Sequence, residues 1–292
     1  MRAADFSEEA YEAPLYNQLE RGTHLVWTPG RVLEARLGFD RGVQLADAAV
    51  WQILGHGRAP RGVVLSHHEL PWWRVPEPRR SLPDFRLNLF LQAKRSNLCS
   101  RIPRPLRGLI ASRPCFSFRL GEQQHEKLVR LATHLGRRAH VAYAAPAFTQ
   151  FSDLRTHTRM RSIVSNSTFP SASALAGHEA WYYWSPGATG VANPEPTVID
   201  ELPIEQRLGA LALSDDAQFG LSSLDVLAEQ IRRFEQEEPI ESQLSSELAT
   251  DSLELDRILE PYGLRPSLRA YAQVSLFAAM NSLNWLVVGS PA

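Results

Sequence analysis

Cysteine is scarce: Cys99 and Cys115 are the only two in 292 residues. They form no CxxC, and no Cys/His group has zinc-ligand spacing, which sets aside a disulfide scaffold and a structural zinc site. That usage fits a reducing compartment. The chain also lacks GxxxxGK[ST] and has no GxGxxG ahead of a helix, so nucleotide-dependent chemistry has no support. No GxSxG anchors Ser/His/Asp catalysis. The stretch from Met1 to Ala10 carries acids and no apolar run, unlike a signal peptide. Nor is there the uninterrupted apolar run of about 20 residues that a membrane span needs. The closest approach is 267–288, which is uncharged after Arg269 but broken by Gln273, Ser275, Asn281, Ser282 and Asn284. These absences point to a soluble, cytoplasmic protein with no membrane segment.

What is present is a chain 44% hydrophobic, enough for a full core in one large domain or two smaller ones. Its net charge of −1 conceals an asymmetry. Residues 94–162 hold 14 Lys/Arg against 3 Asp/Glu, a net of +11, and 195–263 hold 4 against 17, a net of −13. A basic half suits a polyanion, and an acidic half suits another role, such as docking a partner or covering the basic face.

Periodicity and turn residues predict a helix over 8–20 and another from Pro29 to Leu37, started by Thr28-Pro29 and ended by Gly38. Strands are expected over Phe39–Leu45 and, briefly, Val63–Leu65, within a Pro/Gly/Arg-rich excursion over 55–83. In 85–94, Leu87, Leu89 and Leu91 alternate with Arg86, Asn88 and Gln92, the period of a strand. A strand over 115–120, an amphipathic helix over 123–135 and strands over 140–145 and 181–185 follow. Beyond residue 200 the pattern turns helical, with helices capped at Ser222 or Ser223, near 245–260 and over 267–288. Leu268, Tyr271, Leu276, Phe277, Met280, Leu283 and Trp285 would surround that last helix almost completely. A helix apolar all round is buried on several sides, which leads to the expectation that one side meets a second copy or a partner protein. The expected organisation is an α/β (α+β) domain over 1–195 and an acidic, mostly helical region over 196–292.

Three stretches carry the chemistry: Glu34 with Gly38-Phe39-Asp40, then Pro83-Asp84-Phe85, then Gln92-Ala93-Lys94. Phosphodiester hydrolysis needs a divalent cation on oxygen ligands and help for the attacking water. A carboxylate on one strand can share a cation with an oxygen on its neighbour, and a lysine two residues along projects from the same strand face. If 85–94 is one strand, Asp84 lies eight residues from Gln92, about 26 Å away and too far to share a cation. Asp40 is therefore the preferred ligand and Asp84 a poor second.

These motifs, in this order, resemble the PD-(D/E)xK, restriction-endonuclease-like nuclease superfamily, and look most like bacterial members with a GYD motif followed by an LQxKR strand. Here the motifs read GFD and LQAKR, and the likeness covers roughly 29–150. It implies an αβββαβ core and a Mg2+- or Mn2+-dependent endonuclease acting on DNA, with RNA also possible. Asp40 and Gln92 would hold the metal, with Glu34 in support and Lys94 at the scissile phosphate. Arg95, Arg101, Arg104 and Arg107 would contact the nucleic-acid backbone, and Trp72, Trp73, Phe116 and Phe118 offer stacking surfaces. Such nucleases often serve as effectors of anti-phage defence. The departure is Gln92, where a carboxylate is usual; its oxygen can bind a hard cation but carries no charge. A catalytically silent nucleic-acid-binding or scaffold subunit is the competing expectation. Gln123 and Gln124 open a helix where family members often place polar contacts to the site. His67, His68, His125 and His134 lack ligand spacing and are read as non-ligands.

Overall fold

The computed structural model describes residues 2–22, 26–27, 85–110, 113–187, 189–212, 221–237, 270, 273–275, 277–278 and 281–289. The elements run β1 (Arg2–Ala3), α1 (Glu8–Gly22), β2 (Val26–Trp27), β3 (Phe85–Ala93), β4 (Asn97–Leu98), β5 (Phe116–Arg119), α2 (Glu122–Leu135) and β6 (Ala139–Pro146). Then come α3 (Phe151–Met160), β7 (Ser167–Thr168), β8 (Ala180–Tyr183), β9 (Thr189–Asn193), β10 (Thr197–Asp200), α4 (Ile204–Ala212), α5 (Leu221–Glu237) and β11 (Asn284–Gly289). The fold is mixed α+β. The helices expected over 29–37 and 245–260 and the strands expected over 39–45 and 63–65 lie outside the described residues. Among the described residues no helix is long and apolar enough to cross a membrane.

Two sheets organise the molecule. One has the order β2-β11-β3-β6-β7; the other has the order β1-β4-β5-β8-β9-β10. β3 and β6 are parallel, from Asn88 opposite Ala139 to Ala93 opposite Ala144. A parallel pair needs a crossover, and the chain makes it through β4, β5 and α2. Gly136 ends α2 with φ +54°, a conformation that suits glycine, and its N–H bonds the Ala132 carbonyl.

β3 alternates as its sequence predicts. Leu87, Leu89, Leu91 and Ala93 enter a core built with Tyr11, Leu15 and Leu19 of α1, Leu154 of α3, and Ile204 and Leu208 of α4. Phe90 points the other way, into a larger core shared with α2, α5 and the second sheet. There Trp181 packs over β9 so closely that a Cβ on Gly190 would overlap both its indole and the Tyr182 carbonyl oxygen. α4 is also tied down by polar groups: Arg207 donates to the carbonyls of Phe169 and Leu202 and to His140 Nε2, and pairs with Glu201 at 3.3 Å. Burial, with Arg207 beside it, pushes the His140 pKa down to about 3. Glu201 in turn accepts the Ser171 N–H and hydroxyl, both at 2.8 Å.

Several elements depart from expectation. α5 begins at Leu221, so neither Ser222 nor Ser223 stands ahead of it. The boundary expected at 195/196 falls between β9 and β10, which are hydrogen-bonded neighbours from Thr189 opposite Asp200 to Ala192 opposite Thr197. The helix expected over 267–288 does not continue to its end. Ala270, 273–275 and 277–278 are helical, but Asn284–Gly289 is a strand inserted between β2 and β3. Its side chains alternate: Trp285 and Val287 enter the larger core, Leu286 and Val288 the α1 side. The stretch is apolar all round because a strand covered on both faces needs apolar residues at every position. Internal packing thus accounts for Phe277, Leu283 and Trp285, three of the residues on which the expected oligomer or partner interface rested; Leu268, Tyr271, Leu276 and Met280 lie outside the described residues.

Phe277 is 2% exposed and Leu283 5% exposed, both in the larger core. An unpaired buried carboxylate costs several kcal/mol or more, against a total stability of about 5–15 kcal/mol. Phe277→Asp with Leu283→Asp should therefore abolish cooperative thermal unfolding followed by circular dichroism. A double variant that melts like the parent while an assembly dissociates in light scattering would restore the interface reading.

Candidate functional site

The C-terminal end of β3 brings together the polar residues of the QxK stretch. Gln92 lies opposite Tyr143 of β6 and is 3% exposed. Its side-chain carbonyl oxygen is buried and has no hydrogen-bond partner among the described residues. Leaving such an acceptor unsatisfied costs about 1–3 kcal/mol, so the orientation of Gln92 is an observation that needs a cause. Lys94 is two residues on, half-buried, and its N–H bonds the Ala144 carbonyl at 2.8 Å, carrying the pairing past the end of the strand.

The lysine ammonium donates to Gln124 Oε1 at 3.3 Å and lies 5.9 Å from the centre of the Tyr143 ring. Gln124, on the first turn of α2, donates in turn to the Asn281 carbonyl at 3.5 Å. Burial lowers the Lys94 pKa, and the Glu8 carboxylate acts against that. Glu8 is at the start of α1, where its Oε1 accepts the Arg95 N–H at 2.9 Å. One acidic residue 86 positions away in sequence thus lies within electrostatic reach of the lysine, and no local spacing announces it. Gln124 could be picked out as a polar residue at a helix start, but not its partner.

Beneath Lys94 is a second polar pair. His125 Nε2 meets the Leu175 carbonyl at 2.7 Å, and Nδ1 meets the Tyr143 hydroxyl at 2.9 Å. A carbonyl only accepts, so Nε2 carries the proton and Nδ1 accepts from Tyr143. Burial lowers the His125 pKa and raises that of Tyr143, keeping both neutral. Both ring nitrogens are engaged by protein groups.

Arg95 is exposed, but its guanidinium donates to the Ala4 carbonyl, so part of its bonding capacity holds the N-terminal segment. Arg101, Arg104 and Arg107 are exposed around a short 3-10 turn, Arg104–Leu106. Buried Leu106 and Ile110 anchor that turn against Cys99, Cys115, Tyr182 and Val191, leaving the guanidinium groups in water. Phe116 and Phe118 are core residues, 5% and 1% exposed, and offer no stacking surface. Glu34, Asp40, Asp84, Trp72, Trp73, His67 and His68 lie outside the described residues. Among the described residues no three His, Cys, Asp or Glu side chains cluster as a metal site.

No protein-family model, curated protein or solved structure matches the chain.

Tyr143→Phe would remove the one donor to His125 Nδ1 and leave a buried acceptor unpaired. It should destabilise the fold by about 1–3 kcal/mol, read as a lower urea midpoint with unchanged slope. A shift of less than about 0.5 kcal/mol, the range of surface substitutions, would mean that the histidine does not depend on this bond.

Proposed function

We propose that the chain is a metal-dependent nuclease that hydrolyses phosphodiester bonds in DNA, with RNA as a possible further substrate, and that the end of β3 contributes to its site. The observation that carries the reading is the orphaned, buried Gln92 oxygen beside half-buried Lys94. A hard divalent cation takes oxygen ligands, including amide carbonyls, and an inward oxygen with no protein partner suits that use. Asp40 and Gln92 would hold Mg2+ or Mn2+, with Glu34 in support. When bound, the metal would polarise the phosphoryl oxygen and favour ionisation of water.

The chain's own residues have separate tasks in this reading. Lys94 presents a positive charge in a poorly solvated place, where it stabilises negative charge developing on a phosphate more than it would in water. Gln124 holds the ammonium from α2, and Glu8 favours its protonated form. The exposed Arg101, Arg104 and Arg107 suit contacts to successive phosphates, which supply most nonspecific affinity for nucleic acid. A role in anti-phage defence follows only from the resemblance of the GFD and LQAKR motifs. A second reading keeps the same surfaces and drops the chemistry: Gln92 contributes no charge to a metal site, which favours a silent nucleic-acid-binding subunit.

Supercoiled plasmid incubated with the protein and Mg2+ or Mn2+ separates the two readings. Cleavage should require the metal, and Lys94→Ala should lower its rate at least tenfold. The alkaline limb set by Lys94 should fall below pH 10.5, the ordinary lysine value, because burial lowers its pKa. Plasmid bound but uncut under every metal condition would establish the silent reading, and cleavage that survives Lys94→Ala would refute this site.

Salt tests the arginine surface independently. Affinity should fall steeply with ionic strength, and Arg104→Ala with Arg107→Ala should reduce the slope of log K against log salt by about two. A slope unchanged by the double substitution would remove the turn from the nucleic-acid interface.

A further inference from the structure

The two cysteines, 16 positions apart in sequence, meet in space. β4 and β5 pair antiparallel with Asn97 opposite Ser117 and Leu98 opposite Phe116. The same register sets Cys99 opposite Cys115, and the Cys99 N–H bonds the Cys115 carbonyl at 2.8 Å. Residues directly opposite across an antiparallel pair have Cα atoms about 4.5–5.5 Å apart, inside the range of about 4.4–6.8 Å that a disulfide spans. Both side chains enter the same small core, on one face of the sheet, and both thiols are free. The two thiols influence each other, the pairing holding the Cys99 pKa down and that of Cys115 up, while the Cys115 thiol donates to the Phe116 carbonyl at 3.7 Å. The Ser117 hydroxyl also lies 3.5 Å from Cys99 Sγ. Cys99 is 8% exposed and Cys115 1%, so a small oxidant meets Cys99 first.

We propose that Cys99 and Cys115 are a reversible redox pair, forming a cross-strand disulfide that staples the base of the segment bearing Arg101, Arg104 and Arg107. The inference does not depend on the nuclease reading. The oxidant class is a peroxide. The Cys99 thiolate attacks one peroxide oxygen, the O–O bond breaks, and a sulfenic acid and water result once a proton is taken up. The Cys115 sulfur then attacks the sulfenic sulfur; the S–S bond forms, the S–O bond breaks, and the hydroxyl leaves as water with the Cys115 proton. Two electrons pass from the thiol pair to the peroxide, and a dithiol reductant returns them. In the oxidised chain the ends of the arginine segment are covalently joined, which restricts the unfolded state.

The test uses the reduced full-length protein and hydrogen peroxide, followed by alkylation in denaturant and intact-mass measurement. The expected product is a folded monomer lighter than the reduced chain by two hydrogen atoms, with neither cysteine alkylated and both recovered by dithiothreitol. Its urea midpoint should be higher than that of the reduced form. Cys99→Ser and Cys115→Ser, each checked for native circular dichroism, should never give the lighter species. The proposal is overturned if both cysteines remain alkylatable after peroxide, if Cys99 is oxidised to sulfinic acid while Cys115 stays free, or if the bridge joins two chains. It is equally overturned if the disulfide forms only when peroxide is added in denaturant, because the folded register would then not bring the sulfurs together.

Discussion

Enclosure of β3 on both edges and both faces is the constraint from which the rest of this structure follows. β11 pairs with β3 between Phe85 and Leu91 and β6 pairs with it from Asn88 to Ala93, so its middle is bonded on both edges. Its odd-numbered side chains from Leu87 to Ala93 face the α1 side, and its even-numbered ones face α2 and the second sheet. Period-two alternation then determines the fate of every polar residue on the strand. Asn88 must be buried, and it is satisfied: it accepts the Trp285 indole N–H at 3.0 Å and donates to the Arg138 carbonyl at 3.2 Å, joining β3 to β11 and to the turn ahead of β6. Gln92 is held in the same row, but its oxygen has no such partner. That contrast between two amides on one face distinguishes a structural residue from a candidate ligand.

The same enclosure explains the electrostatics. Where β3 emerges at Lys94, the lysine is neither fully in solvent nor fully in the core. Burial disfavours its charge, while Glu8 and Gln124 favour it. Elsewhere the fold treats charge differently. Arg207 is 9% exposed and is compensated by Glu201 and two carbonyls, and its neighbour His140 is kept neutral. A buried cation with this many partners secures α4 and has little left to offer a ligand. Lys94 has fewer bonds and a partly open setting.

Much of the local structure was readable from the order of residues. β3, α2, β6 and α1 stand within two residues of expectation at each end, because the first, second and last have an apolar stripe of clear period and β6 is a short apolar run closed by Pro146. The C-terminal stretch defeated that method. In Asn284–Gly289 both faces are covered, so the alternation that marks a half-exposed strand is absent, and a continuous apolar run reads equally as a buried helix. β9 and β10 were missed for another reason: Gly190 and Pro194 are poor strand signals, and Gly190 is needed for close approach to Trp181. At the site, Gln92 and Lys94 could be paired because residues two apart share a strand face. The bond from Lys94 to Gln124 crosses 30 positions and the electrostatic influence of Glu8 crosses 86, so neither leaves a local pattern.

The division between the two levels is therefore one of range. Composition and short spacings were sufficient for the α+β class, for the strand that carries the QAK stretch and for the basic segment that follows it, since each depends on neighbours a few residues away. Only folding determined that a strand near the C-terminus completes the sheet around β3, that Cys99 faces Cys115, and that the buried Gln92 oxygen is left without a partner among the described residues. Those outcomes depend on which distant segments exclude water from the same place, and packing of that kind is a property of the whole chain rather than of any stretch within it.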